Sequence, residues 1–123
     1  MDNKLILAKN SLLKNGFKAQ VFSNRQEAKE ALLKDIELDE SIAFGGSVTL
    51  NELGLYEEFK SRGNEIYWHW KAEDRGAALE KAVNTDIYVC STNALTLDGT
   101  LVNMDGIGNR VASMIFGHKR VYV

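Results

Sequence analysis

The sequence predicts an α/β domain with a mainly parallel sheet flanked by helices, and three observations support this prediction. Short apolar runs at 41–44 and 86–90 have the length and composition of buried parallel strands. Segments of about 10 to 15 residues with helical periodicity separate the predicted strands. With 123 residues, of which 45% are hydrophobic, the chain has the size and composition of a single domain with one core.

The N-terminal part begins with a predicted helix at residues 2–15, which ends at an Asn-Gly pair typical of helix ends. Residues 18–22 are predicted to form a short strand. Ser23 or Asn24 is a candidate cap for a second helix that continues to about Asp35.

The central part begins with the predicted strand at 41–44, which ends at two glycines. Ser47 and Thr49 are candidate caps for the next helix, which is expected to end at 62–63. Residues 65–70 alternate as a strand would, with the two tryptophans on one side. The remaining predicted elements are a helix at 74–83, a strand at 86–90, a turn at 98–99 leading into a strand at 100–102, a helix at 109–116 and a strand at 120–123.

Composition restricts the classes of function. A net charge of −2 gives no basic field for nucleic acid, and the apolar run at 5–8 is too short for a signal peptide or a membrane span. The single cysteine, Cys90, excludes an internal disulfide and any zinc or iron–sulfur site built from cysteines of this chain alone. We therefore expect a cytoplasmic protein without nucleic-acid, membrane or metal partners.

Polar or glycine-rich residues follow three predicted strands, at 45–49, at 69–71 and at 91–93. Ligands of open α/β sheets bind outside the carboxyl ends of the strands, where these segments are expected to converge. The sequence Gly-Gly-Ser-Val-Thr at 45–49 is suited to an anion, because glycines permit close approach and a helix N-terminus offers free N–H groups. The alternative is a capped strand-to-helix turn that binds nothing.

A dense polar segment at 90–110 supplies further candidates. Asp105 is the preferred general acid or base, whereas Asp98, next to a glycine, is a second candidate that could instead accept hydrogen bonds within its own turn. Arg110 is a candidate clamp for a phosphate or carboxylate, and an ion pair with Asp105 is the alternative. His69 is either catalytic or a hydrogen-bonded structural residue.

Four other residues are interpreted as structural. Cys90 is expected to be an inert core thiol, His118 to be solvated, and Trp68 and Trp70 to belong to the core. The complete set of predicted site residues comprises the catalytic candidates Asp105, Asp98 and His69 and the ligand-binding candidates Gly45, Gly46, Ser47, Thr49, Ser91, Thr92, Asn93, Asn103, Gly106, Gly108, Asn109 and Arg110.

Three segments, FGGSVTLNELG, DIYVCSTNALTLDGTLVNMDGIGNRVASMIFG and HKRVYV, resemble the LUD domain family, the YkgG-like group of lactate utilisation proteins. The resemblance covers nearly the whole chain. It implies the fold of the superfamily of glucosamine-phosphate isomerase, ribose-phosphate isomerase and CoA-transferase (NagB/RpiA/CoA transferase-like). The loop at 45–49 would correspond to that superfamily's ligand-binding loop, and 98–110 to its acidic catalytic loops.

The resemblance also implies a role in oxidation of L-lactate to pyruvate alongside iron–sulfur partner subunits. Family members usually continue beyond the last strand with a glycine, an Asn-Lys segment and a helix, and the sequence ends at Val123 before them. We therefore expect a shortened member or a fragment, or a partner chain that supplies the missing cover. A final strand at the sheet edge would favour a homo-oligomer.

Four functions follow as hypotheses. The first is a domain that binds a small anionic metabolite, phosphorylated or carboxylated, at the carboxyl edge of the strands. The alternative is a non-catalytic subunit of a lactate-oxidising complex, with no cofactor in this chain and iron–sulfur clusters on its partners, or an enzyme resembling the sugar-phosphate isomerases and CoA-transferases. A domain retained for regulation or assembly is the fourth.

Overall fold

Four parallel strands form the central sheet of the computed structural model, which describes residues 2–123. The helices are α1 (Asn3–Lys14), α2 (Arg25–Asp35), α3 (Val48–Glu52), α4 (Leu55–Arg62), α5 (Arg75–Ala82) and α6 (Asn109–Ile115). The strands are β1 (Ile42–Phe44), β2 (Ile66–Tyr67), β3 (Ile87–Val89), β4 (Ala94–Leu95), β5 (Leu101–Val102) and β6 (Arg120–Tyr122). The sheet has the order β2-β1-β3-β6, and β4 and β5 form a separate antiparallel hairpin. The predicted α/β class is confirmed.

The two central strands are buried on both faces of the sheet, because successive side chains point to opposite sides. On one face Phe44 packs edge-on against Phe59 of α4 and against Trp68, with ring centroids 6.2 and 5.2 Å apart. On the other face Tyr88 and Cys90 form a smaller cluster with residues of α5 and α6. None of the helices within residues 2–123 has the length and apolar content needed to cross a bilayer.

Side-chain caps fix the starts of several helices. The Asn24 side chain accepts a hydrogen bond from the Glu27 N–H at 2.9 Å, and Ser47 Oγ accepts one from the Leu50 N–H at 3.1 Å. Both residues were predicted as caps, whereas Thr49 lies within α3. Because α3 begins directly after β1, the Ser47 cap also fixes the direction in which the chain leaves the sheet.

Three local predictions are wrong. Residues 18–22 form no strand, since the outermost strands of the sheet are β2 and β6 and this segment pairs with neither. The predicted strand at 65–70 is limited to β2, and its alternation fails because neighbouring Trp68 and His69 are both buried. The single helix predicted at 47–62 is divided into α3 and α4 at Gly54, whose φ of +66° interrupts the helix.

The β4–β5 hairpin packs against α1 rather than against the central sheet. Ser11 Oγ donates a hydrogen bond to the Leu97 carbonyl at 2.7 Å, and Asn15 Nδ2 donates to the carbonyls of Asp98 and Gly99 at 3.0 and 3.1 Å. Gly99 adopts a φ of +82°, and a Cβ there would lie 2.7 Å from Asn15 Nδ2. The predicted turn at 98–99 is therefore confirmed.

Candidate functional site

The exits of β1 and β3 meet at the carboxyl edge of the sheet. Ser47, after β1, and Ser91, after β3, are joined by a hydrogen bond of 2.6 Å between their Oγ atoms. The Gly45 N–H donates to the carbonyl of Val89, which continues the pairing of the two strands to this point. Two of the three predicted exit segments thus lie in direct contact.

Arg110 joins this edge to the loop that precedes α6. Its Nε donates to Asp105 Oδ1 at 2.9 Å, Nη1 donates to the Ser91 carbonyl at 2.8 Å, and Nη2 donates to Asn93 Oδ1 and, at 3.3 Å, to the Met104 carbonyl. A guanidinium has five N–H groups, and these four bonds occupy most of them. We call Ser91, Asn93, Met104, Asp105 and Arg110 the Arg110 network.

The carboxylate of Asp105 is also fully engaged. Its Oδ2 accepts a hydrogen bond from the Val111 N–H at 2.6 Å, in the first turn of α6, while Oδ1 accepts from Arg110. The side chains of the ion pair are only 10% and 9% exposed. The predicted ion pair is confirmed, and a catalytic role for Asp105 stays a prediction.

The remaining polar residues of the two loops hold them together. Thr92 Oγ1 donates to Asn103 Oδ1 at 3.0 Å, and the Met104 N–H donates to Asn93 Oδ1 at 3.1 Å. Gly106, Gly108 and Asn109 follow, with Gly108 at the N-cap of α6 in a left-handed conformation, φ +80°. The segments 91–93 and 103–110 are therefore held together by hydrogen bonds.

Packing explains both glycines of the 45–49 loop. A Cβ on Gly45 would lie 2.8 Å from Tyr88 Oη and 3.1 Å from Arg110 Cγ. A Cβ on Gly46 would lie 2.9 Å from Nε1 of Trp70. Side chains of this protein thus occupy the space that the sequence indicated for a ligand, and the anion-binding role of this loop stays a prediction.

Asp98 lies apart from the Arg110 network, in the turn of the β4–β5 hairpin. Its carboxylate accepts hydrogen bonds from the hydroxyls of Thr96 and, at 3.1 Å, Thr100. These two bonds hold the pKa of Asp98 below its usual value. The turn interpretation of Asp98 is confirmed, whereas its proposed acid or base role stays a prediction.

A cleft opens at the exit of β2, next to the 45–49 loop. It has a volume of about 370 Å³. We call it the cationic cleft, and it is lined by Asn51, His69, Trp70, Lys71, Ala72 and Arg75. Three polypeptide segments meet in it: α3, the segment after β2 and the start of α5.

His69 is 8% exposed, and within residues 2–123 its imidazole has no hydrogen-bond partner. Burial, and secondarily the positive charge of Arg75, hold the pKa of His69 below its usual value of 6.5. The imidazole is therefore neutral at pH 7 and retains one donor and one acceptor nitrogen. The ring nitrogens are not themselves fully buried, so they are accessible to a ligand in the cleft.

Two positive charges border the cleft. Lys71 Nζ lies 3.5 Å from Glu57 Oε1 and is partly neutralised, whereas no carboxylate of residues 2–123 lies within 4.0 Å of the Arg75 guanidinium. The side chain of Asp74 is directed to the N–H of Ala77, which it caps. Sequence analysis missed Arg75, because at the start of a helix it has the pattern of a solvated surface residue.

Trp70 forms one wall of the cleft and differs from Trp68. The two indoles are stacked, with centroids 5.3 Å apart and an interplanar angle of 16°. Trp68 is 1% exposed, as expected for a core residue, but Trp70 is 45% exposed. The interpretation of both tryptophans as core residues is therefore right for Trp68 and wrong for Trp70.

Cys90 lies next to Arg110, and His118 contacts the same strand nearer its start. Cys90 is buried, as expected for a core thiol, and burial raises its pKa to about 11. His118 was expected to be solvated, but its ring stacks on Tyr88 at 5.0 Å and its Nδ1 lies 2.8 Å from the Thr85 carbonyl. In the part of the chain that the structure describes, no three His, Cys, Asp or Glu side chains are grouped so that they could hold a metal ion.

Comparison with known proteins gave one match. A family model described as the LUD domain matches residues 6–123, which is essentially the whole chain. The search of curated proteins and the search of solved structures gave no match.

Proposed function

This chain belongs to the LUD domain family, and on that premise we propose that it binds a small anionic metabolite at the carboxyl edge of its sheet. The family is associated with lactate utilisation, so carboxylates of the size of lactate and phosphorylated compounds are the ligand classes to test. The cationic cleft is the proposed binding site, and the Arg110 network is the scaffold beside it.

The observation that carries this proposal is the pair of groups in the cleft that have no protein partner among residues 2–123. Arg75 has no carboxylate partner, and His69 is buried without a hydrogen bond, in both cases among the described residues. A guanidinium binds carboxylates and phosphates with paired N–H donors, and a neutral imidazole adds one donor and one acceptor. The amide of Asn51 offers a third polar contact in the same cleft.

The Arg110 guanidinium is less suited to the role of anion ligand for which the sequence suggested it. Before it could bind an anion in a bidentate manner, the guanidinium would have to lose its hydrogen bonds to Asp105, Ser91, Asn93 and Met104. Its side chain is also nearly buried, at 10% exposure. We therefore assign it to positioning: it holds the exit of β3 against α6 and so completes the edge on which the cleft opens.

The size of the cleft restricts the ligand. At about 370 Å³ it falls at the lower end of the range of roughly 300–1,000 Å³ that is typical of small-molecule sites. A short hydroxy or oxo acid or a sugar phosphate fits such a volume. A CoA thioester would have to extend beyond it.

The proposal is tested by thermal-shift measurements with lactate, pyruvate, inorganic phosphate, sugar phosphates and CoA thioesters. A ligand at about 100 times its Kd stabilises the native state by about 2.7 kcal/mol, which is readily measured in a domain of this size. In Arg75→Ala we expect the affinity to fall at least tenfold. Lys81→Ala is the matched control, because it removes the same charge from the same helix outside the cleft.

Two outcomes would contradict the proposal. One is a folded wild-type protein that responds to none of these anions. The other is a response that Arg75→Ala and Lys81→Ala reduce equally, since a general effect of net charge would then explain it. A substitution such as Gly46→Asp would be a less specific test, because any side chain there displaces the indole of Trp70.

A second candidate function is supported by exposed apolar side chains near the network. Met104, Ile107, Ile115 and Phe116 are 70–87% exposed, which is unusual for large apolar residues and typical of protein contacts. These residues favour a non-catalytic subunit that docks on an iron–sulfur partner in a lactate-oxidising complex. Co-expression with such a subunit should yield a brown, iron-containing complex that Phe116→Glu disrupts, and separate elution of the two chains would contradict this role.

A further inference from the structure

Resting on the proposed function, we infer that the ligand of the cationic cleft is an anion that also carries a planar ring, and that the ring packs on Trp70 while Arg75 binds the anionic group. The proposed function specifies only the charge of the ligand, and the inference adds its shape. It follows from which parts of the cleft wall are apolar, which are charged and which lack a partner.

Trp70 is the apolar part of the wall. Its indole is 45% exposed although it belongs to a segment whose preceding two residues are both buried. One of its faces is covered by Trp68, at an interplanar angle of 16° and a centroid distance of 5.3 Å, and its Nε1 edge lies against Gly46. The indole is thus held in place from inside the domain, and its remaining surface borders the cleft.

A rigid, half-exposed indole in a concave site is suited to a flat partner. Stacking orders only the ligand, because the orientation of the Trp70 ring is already fixed by Trp68 and Gly46. A small acid such as inorganic phosphate would contact Arg75 and leave the indole exposed to water. A ligand with a ring would cover the indole and the cation together.

The charges of the cleft complement this arrangement. The guanidinium of Arg75 is the cation without a carboxylate partner among residues 2–123, whereas Lys71 lies 3.5 Å from Glu57 and 5.9 Å from the centroid of the Trp68 ring. The imidazole of His69, which has no protein hydrogen-bond partner among residues 2–123, and the amide of Asn51 lie in the same wall. They offer hydrogen bonds to the heteroatoms of a ring or of the group that links the ring to the anion.

The two tryptophans also make the inference directly measurable. Because Trp68 is 1% exposed and Trp70 is 45% exposed, quenching of fluorescence by acrylamide reports mainly on Trp70. The probes are AMP, ribose 5-phosphate and inorganic phosphate, which share the phosphate, while only AMP adds a planar ring. We expect AMP to protect the fluorescence from acrylamide and ribose 5-phosphate not to do so.

The matched binding measurement uses titration calorimetry. Alanine substitutions place stacking of a base on an aromatic side chain at a factor of roughly 5 to 150 in affinity. We therefore expect wild-type protein to prefer AMP over ribose 5-phosphate by at least fivefold and Trp70→Leu to lose that preference. Phe17→Leu is the control, because it removes an aromatic ring of similar exposure, 49%, that lies outside the cleft.

The outcomes separate the inference from the proposed function. If AMP and ribose 5-phosphate bind equally and Arg75→Ala weakens both, the planar-ring inference is wrong and the anion site stands. If none of the three phosphates binds, both are overturned for phosphorylated ligands. If Trp70→Leu fails to fold, the acrylamide experiment on the wild-type protein decides: protection by AMP alone supports the inference, and equal or absent protection overturns it.

Discussion

The Arg110 network and the cationic cleft lie at the same edge of the sheet, and both place an arginine beside polar side chains. In the network the arginine is buried and makes four hydrogen bonds to the protein. In the cleft the arginine is exposed and has no carboxylate partner among residues 2–123, and the neighbouring His69 has no hydrogen bond. The polar groups of the network are thus hydrogen-bonded within the protein, whereas those of the cleft must hydrogen-bond to water or to a ligand.

This contrast shows that a segment rich in polar residues can mark a structured region of the chain. The sequence alone does not show whether those polar groups bind one another or remain free to bind a ligand. The segment 90–110 is the most polar of the chain, yet its side chains mainly bind one another. The cleft draws on single residues from three segments, none of which is polar enough to be conspicuous. The two regions should therefore respond differently to mutation, and four predictions test this difference.

The largest effect is expected for Arg110→Ala. The substitution leaves the carboxylate of Asp105, 9% exposed, without its ion-pair partner, and breaking a buried pair costs about 3–5 kcal/mol. Urea denaturation should show this loss of unfolding free energy. Arg25→Ala is the control: it breaks an ion pair with Glu52 whose side chains are 72% and 48% exposed, so it should cost less than about 1 kcal/mol. If the two substitutions cost the same free energy of unfolding, the buried ion pair of the network would contribute no more to stability than an exposed ion pair does.

A smaller effect is expected for Gly45→Ala. The new Cβ would lie 2.8 Å from Tyr88 Oη and 3.0 Å from Cys90 Cβ, and overpacking of this kind costs about 1–3 kcal/mol. Gly106→Ala, in the same network region, meets no atom within 4 Å and should change the free energy of unfolding by less than about 1 kcal/mol. Chemical denaturation of both variants measures the difference. A destabilising Gly106→Ala would show that the loop before α6 is more tightly packed than described.

The cleft should show a dependence on pH that originates in His69. Its pKa is lowered in the folded protein by burial and then by Arg75, so the unfolded chain binds the proton more readily. Native stability should therefore fall as the pH decreases below about 6.5, the ordinary pKa of histidine. Urea midpoints between pH 5.5 and 7.5 should decline less in His69→Gln than in the wild type. An unchanged slope in the variant would show that His69 does not titrate in this way.

The last prediction concerns the reactivity of Cys90 and involves no change in stability. It tests whether the network shields the thiol from solvent. With a pKa raised to about 11 by burial, the thiol of the folded protein should react with a disulfide reagent at pH 8 at least about 100-fold more slowly than that of the unfolded chain. Measuring the labelling rate with and without urea gives this ratio. Rapid labelling of native protein would mean that the network opens readily above Cys90.

Much of the fold could be predicted because local signals and tertiary structure agree in this chain. The strands at 42–44 and 87–89 combine apolar composition with the polar or glycine-rich residues that follow them, and Asn24 and Ser47 cap helices. The segment at 18–22 was predicted wrongly because a strand needs a neighbour as well as β propensity, and the sheet offers it none.

The site could be predicted only in part, for a physical reason. The Asp105–Arg110 pair was foreseen as one alternative, because the two residues are close in sequence and opposite in charge. Arg75 was missed because lacking a partner is a property of the three-dimensional surroundings. The exposure of Trp70 and the stacking of His118 on Tyr88 were missed for the same reason: identical residue types lie inside or outside according to contacts distant in sequence.

The anchoring of α1 has a consequence for synthesis of the chain. The described side-chain hydrogen bonds from Ser11 and Asn15 to distant residues all end in the 97–99 turn, 83 to 86 positions later. At roughly 5–20 residues per second, a ribosome needs about 4–17 s to translate that interval. Helix α1 is therefore synthesised well before the turn that anchors it, and during that delay Leu5, Leu7 and Leu13, still about half exposed in the finished fold, are available to a chaperone.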